Sequence, residues 1–186
     1  MRAILLVLAV SMSMPMVTQA QVKPEIRPFV GAFIPTGNQR DVLDDALFTG
    51  AQLAVEVADV LHLVGTFAFA GPDFKKELTG GGHMHIYQSD VGAELFRVVT
   101  LKNDRSVRPF LGAGLGVRTY DPTATWESRS YPAGYGTVGA ELQFNRVAVR
   151  FEARDYLTRF KGVAGNEEAS TRNELALSVG LAYHLR

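Results

Sequence analysis

Polar and apolar residues alternate along most of this chain with a period of two. In one stretch Val138, Ala140, Leu142 and Phe144 share a face opposite Thr137, Gly139, Glu141 and Gln143. In another, Leu175, Leu177, Val179, Leu181, Tyr183 and Leu185 stand opposite Glu174, Ser178, Gly180 and His184. Val147, Val149, Phe151 and Ala153 likewise oppose Arg150, Glu152 and Arg154, and Ala51, Leu53, Val55 and Val57 oppose Gln52 and Glu56. Side chains of a strand point alternately to its two sides, so this pattern predicts β-strands. Eight segments of roughly ten to fourteen residues carry it: Glu25–Ile34, Phe48–Ala58, Leu61–Ala70, His85–Val98, Val107–Tyr120, Ala133–Phe144, Arg146–Arg159 and Thr171–Leu185. Globular strands average about five or six residues, whereas a tilted strand needs about 9–11 to cross a bilayer. No helical stripe exceeds about three turns; Arg40 to Leu47 is read as one turn of helix.

The connections alternate too. Pro35–Leu47, Gly71–Met84, Asp121–Pro132 and Phe160–Ser170 are long, while Asp59-Val60, Val99–Arg105 and Asn145 are shorter. Short turns at one end and long loops at the other are the mark of an up-and-down barrel in an outer membrane. Two repeats respect the same scheme. Arg27-Pro28-Phe29-Val30-Gly31-Ala32 recurs as Arg108-Pro109-Phe110-Leu111-Gly112-Ala113, and Val91-Gly92-Ala93-Glu94-Leu95 as Val138-Gly139-Ala140-Glu141-Leu142. Each pair falls on strands of one direction, as hairpin-by-hairpin construction requires.

The apolar face is continuous, and the other face mixes charges with Gly92, Gly112, Gly114, Gly116, Gly139 and Gly180. A soluble barrel turns its apolar face inward; a membrane barrel inverts this. Strand length, loop alternation and the glycines favour the membrane arrangement, because small residues leave room for long charged side chains in a narrow lumen. The expected interior network, structural or pore-lining, sets Glu56, Asp90, Glu94, Glu141, Glu152 and Glu174 against Arg108, Arg118, Arg150 and Arg154, with His184 nearby. Interior charges are costly unless paired. Phe67, Phe69 and Tyr87 are expected at the outer rim, Phe144 and Tyr183 at the inner one.

Composition narrows the partners. Nineteen Lys plus Arg balance nineteen Asp plus Glu, so no basic excess invites nucleic acid. The chain has no Cys, which removes disulfides, thiolate catalysis and Cys-based zinc sites. Arg2, the apolar run Ala3–Val10 and small residues at Thr18 and Ala20 read as a secretory signal peptide over 1–20, leaving 21–186 as the barrel domain.

With these features the chain resembles the small eight-stranded outer-membrane barrels, the OmpA/OmpX-like β-barrel group, over its whole mature length. The resemblance implies an all-β, eight-stranded antiparallel up-and-down transmembrane β-barrel with a polar, side-chain-filled interior. It implies an outer-membrane location in a Gram-negative cell envelope, contact with outer-membrane lipid, and possible extracellular partners at the long loops. A monomer is expected, with no cofactor and no catalysis. Such barrels usually close on an aromatic residue; the sequence here ends Tyr183-His184-Leu185-Arg186, so either Tyr183 takes that place or the insertion signal is divergent. No peptidoglycan-binding segment follows, so an anchoring role is not expected.

The remaining chemistry is thin. Gly112-Ala113-Gly114-Leu115-Gly116 lies within a strand, not at a helix start, and so is no dinucleotide fingerprint. His83 and His85 offer two imidazoles without an obvious third metal ligand. Ser89 with His85 suggests a lipid A-modifying pair, but alternation places both on the lipid side and Asp90 inside, away from the imidazole. Asp155-Tyr156 with Arg159 interrupts the alternation and predicts a rim or bulge. Tyr120, Trp126 and Tyr131 are candidate contacts for a surface partner. A structural or surface-interaction role is the expected function. The alternatives are a narrow ion or solute channel, a soluble lipocalin-like periplasmic carrier, or a lipid A-modifying enzyme.

Overall fold

The computed structural model describes residues 23–75, 82–101, 105–123, 128–144, 146–160 and 170–184. Within them the strands are β1 (Lys23–Pro35), β2 (Ala46–Ala58), β3 (Leu61–Ala70), β4 (Met84–Phe96), β5 (Val99–Thr100), β6 (Ser106–Pro122), β7 (Arg129–Phe144), β8 (Val147–Phe160) and β9 (Ser170–His184). Consecutive strands pair antiparallel except β4 and β5: β4 pairs directly with β6, and the short β5 pairs with β6 alone. Two ladders close the sheet: β1 with β9, and β4 with β6. Eight long strands therefore form an up-and-down barrel without a free edge, which satisfies every strand's backbone groups between strands.

Alternation sets which side chains face out. Ile26, Val30, Leu53, Leu63, Phe67, Val91, Leu111, Leu115, Val138, Phe151, Val179 and Leu181 are exposed on the outer surface, while their sequence neighbours are buried or half-buried. Phe67 and Tyr87 stand out on the loop side, and Phe144 and Tyr183 at the turn end. An outer face this apolar on a polar-filled barrel is the arrangement lipid requires.

The repeats occupy equivalent places. Arg27 and Arg108 both turn inward near the turn end, as do Glu94 and Glu141 on strands of the opposite direction. The glycines of the inner face make room for rings. A Cβ at Gly92 would lie 2.2 Å from the Tyr135 hydroxyl, and one at Gly114 would lie 2.4 Å from the Tyr135 ring.

Three local expectations are corrected. The third long connection is short, because β6 runs to Pro122 and β7 starts at Arg129, with Tyr120 opposite Arg129. Here the outward positions Thr119 and Ser130 are polar and bond each other at 2.8 Å, so the apolar alternation fades although the ladder continues. Instead of a helical turn over Arg40–Leu47, a 3₁₀ turn forms at Gly37–Gln39, where Gly37 supplies a positive φ of 56°. No bulge occurs at Asp155; β8 stays in register from Val147 to Phe160, with Tyr156 inside and Asp155 outside. The single register shift in the β2–β3 ladder lies between Glu56 and Ala58.

Candidate functional site

The lumen is built in layers. At the turn end Arg27 donates to Glu25 at 2.9 and 2.7 Å, to Glu94 at 2.8 Å and to Nδ1 of His62 at 2.9 Å. Arg108 donates to Glu141 at 2.8 Å and to both oxygens of Glu25 at 3.0 Å. Arg150 reaches Glu141 at 2.6 Å, Glu94 at 2.5 Å and Glu152 at 2.9 Å. Rings close the gaps: His62 stacks on Phe96 at 4.3 Å, and the Arg150 guanidinium lies 3.6 Å from the centre of the Phe110 ring.

The middle layer turns on Glu152, which accepts from Arg150, from Arg154 at 2.7 Å, from Gln52 at 3.0 Å and from Thr137 at 2.9 Å. Arg154 also donates to Asp90 and to Thr66, each at 3.2 Å. Above it Arg118 and Glu174 form an ion pair at 2.8 Å, both fully buried, and Tyr120 donates to Glu174 at 3.0 Å. The Arg118 guanidinium sits over Tyr156 at 4.5 Å and over Phe33 at 5.2 Å. Charges this deep persist only when paired, and the register delivers the pairs.

Beyond Arg118 the lumen becomes apolar. Phe33, Phe48, Met84, Ile86, Tyr135 and Tyr156 form a cluster with Leu43 and Phe74, which come from the first two long loops. The interior is thus polar toward the turn end and aromatic toward the loop end. The two loops are tied to each other where Leu43 bridges Phe74, and the second loop closes on itself where Asp73 bridges His83. Lys75 N–H donates to Val42 C=O at 2.9 Å, Asp44 N–H to Asp73 C=O at 3.0 Å, and Phe74 N–H to Gly82 C=O at 3.0 Å. His83 also pairs with the Asp73 carboxylate. Two loops cross-linked this way, with Leu43 and Phe74 buried beneath them, make a lid on the barrel.

Of the residues expected inside, Asp90, Glu94, Arg108, Arg118, Glu141, Arg150, Glu152, Arg154 and Glu174 are all buried in the lumen. Glu56 is not; although in register with His62, it is half-buried at the turn-end rim, two residues from the end of β2, where solvent reaches it. The side chain of His184 lies outside the described residues. Glu25, Arg27 and His62 are buried members that alternation alone did not single out. Arg27 was accessible through its repeat with Arg108, and His62 through its place between outward Leu61 and Leu63. Tyr120 is buried against Glu174 instead of facing a surface partner, Tyr131 is half-buried beside it at 6.1 Å between ring centres, and Trp126 lies outside the described residues.

His85 and Ser89 face outward and Asp90 inward. The outward acid missed in the sequence is Asp121, the register partner of His85. No hydrogen bond joins His85 to Ser89 or Asp121 among the described residues; the imidazole instead stacks between Phe69 at 5.5 Å and Tyr87 at 6.4 Å. Among the described residues no group of three His, Cys, Asp or Glu side chains is placed to hold a metal ion.

No family model matches the sequence, and no curated protein matches it. Solved structures do. The chain is similar to the outer membrane protein OprG of Pseudomonas aeruginosa, at 13% identity over 89% of this chain and 96% of that one, with a TM-score of 0.63. It is similar to Neisserial surface protein A (NspA) at 12% identity over 87% and 96%, with a TM-score of 0.60. It is also similar to Ail, the attachment invasion locus protein of Yersinia pestis solved with the heparin analogue sucrose octasulfate, at 15% identity over 88% and 99%, with a TM-score of 0.51. At these identities the likeness is one of fold: the chain has the architecture of the small eight-stranded outer-membrane β-barrels, an antiparallel up-and-down barrel with an ion-paired polar interior.

Proposed function

We propose that the chain is an integral outer-membrane protein whose role is structural or is exerted at its loop face, without conduction or catalysis. In this reading residues 1–20 are a cleaved signal peptide. The short turns face the periplasm and the long loops face outward. One observation carries the reading: the lumen is filled from Glu25 and Phe96 at the turn end, through Glu152 and Arg118, to Leu43 and Phe74 under the lid. An eight-stranded barrel is narrow enough for side chains to fill, and these side chains reach from one end of it to the other. The loops, tied to each other and anchored by two buried apolar side chains, present a preformed outward surface for a partner.

A narrow channel is the second reading, and a specific feature favours it. Gln52 Oε1, Gln88 Oε1, the Tyr135 hydroxyl, Arg154 Nη2 and Thr158 Oγ1 are buried without hydrogen-bond partners among the described residues. Such atoms are commonly met by internal water.

Planar-bilayer recording decides between them. Protein whose gel mobility shifts on boiling, the sign of a folded barrel, is expected to give no discrete conductance steps. Steady single-channel openings that disappear when Arg118 or Glu152 is enlarged or neutralised would overturn the closed-lumen reading in favour of the channel.

A further inference from the structure

One charged side chain stands within the apolar outer face. Asp155 points outward from β8, between Ala153 and Leu157 along the strand and between Gly136 and Leu175 across its two ladders. It is half-buried and has no hydrogen-bond or ion-pair partner among the described residues. A carboxylate on one methylene cannot reach far toward water, and an ionisable group in a lipid-facing belt is costly enough to call for a partner. The same face carries Arg159, two outward positions nearer the loops, exposed and equally unpartnered among the described residues. Four residues along a strand span about 13 Å, and the two side chains form no ion pair within the chain among the described residues.

The surface beside Asp155 has low relief. The outward positions of β7 at this level are Gly134 and Gly136, and a Cβ at Gly136 would meet nothing within 4 Å. Ala153 continues the small-residue surface on β8. Within a membrane, where apolar contact alone gives little advantage over lipid, small residues allow close approach and polar pairs add attraction.

We propose that the β7–β8 face is a self-association surface, on which a second copy docks about a two-fold axis near Leu157 and its Arg159 pairs with Asp155. On a strand tilted about 40°, Arg159 stands about 10 Å above Asp155 and about 8 Å to one side. Leu157 lies midway. Rotation about an axis through Leu157 along the membrane normal preserves height and reverses the sideways offset. The Arg159 of one copy then stands on the same side of the axis as the Asp155 of the other, about 10 Å higher and across the contact, and symmetry forms the pair twice. The long apolar stem of arginine lies along the barrel wall and brings the guanidinium down to the carboxylate. This arrangement replaces the monomer expected from the sequence, and it rests on the membrane reading above.

Because the chain has no cysteine, a single introduced thiol reports on the contact. Leu157→Cys, placed at the axis, is expected to give a disulfide-linked dimer under mild oxidation in membranes of low protein content. Leu53→Cys, outward on β2, is the control and is expected to give at least fivefold less. In the Leu157→Cys background, Asp155→Arg and Arg159→Asp are each expected to cut cross-linking at least fivefold, and the two together to restore it. Native mass spectrometry of the same charge swaps on the Cys-free chain gives a second readout should the thiol variant fold poorly. Equal cross-linking at Leu157 and Leu53, or no recovery in the double swap, overturns the proposal. So does a monomer in which Asp155→Asn changes only the response to divalent cations, which would assign the carboxylate to lipid headgroups. A chain with no boiling-sensitive band in the membrane fraction would instead overturn the membrane reading itself.

Discussion

Glu152 is the residue on which the lumen depends most visibly. It accepts from two arginines, a glutamine and a threonine, and its own burial leaves no water to take over those bonds. Removing one member of a buried ion-paired group strands the others, at a cost of about 3–5 kcal/mol. Glu152→Ala is therefore expected to lower barrel stability by about that amount in urea titrations read by the boiling-dependent gel shift. Glu152→Gln, which keeps the shape and one acceptor, is expected to cost less. Equal stability of Glu152→Ala and wild type would show that the guanidiniums are solvated by other means. At this scale the sequence was informative where alternation was clean, as around Arg150, Glu152 and Arg154. Alternation by itself passed over Glu25 and Arg27, because Pro24 and Pro28 occupy outward positions beside them and blur the apolar stripe, although the repeat with Arg108 pointed to Arg27. It also misplaced Tyr120, since an aromatic near a loop looks the same in sequence whether it plugs a lumen or greets a partner.

Among the elements, the eight long strands were legible from period and length, with ends shifted by a few residues. β3 runs over Leu61–Ala70 as read from the sequence, because it is bounded by a tight turn on one side and Gly71-Pro72 on the other. β6 and β7 extend further than the pattern suggested; in the membrane reading their loop ends rise above the lipid, where outward side chains are free to be polar and the signal vanishes. The lid was not legible at all. Leu43 and Phe74 lie in separate loops, and only their bridge in space reveals that they pack together at one mouth. Truncating a large buried apolar side chain costs about 3–5 kcal/mol, more than a loop pair can readily spare. Phe74→Ala is accordingly expected to expose both loops to brief protease treatment while the barrel keeps its boiling-dependent mobility. Unchanged protease resistance, or collapse of the whole barrel, would contradict a lid that is separable from the wall beneath it.

For the molecule as a whole, everything above depends on one inversion: apolar residues outside, charges within. The register, the burial of nine of the ten expected interior residues and the exposed belt of Leu, Val and Phe all belong to that arrangement. What the sequence left open was the state of the lumen and of the outer wall, because pairing geometry and the isolation of Asp155 exist only once strands are set side by side. The most direct test labels single cysteines with nitroxide at successive positions of β9, from Leu175 to Leu181, in lipid bilayers. Collision with oxygen, which concentrates in the hydrocarbon, is then measured at each. A period of two is expected, with maxima at Leu175, Leu177, Val179 and Leu181 and minima at Ala176, Ser178 and Gly180. Maxima at the latter three, or no alternation, would contradict a barrel that turns its apolar face to lipid.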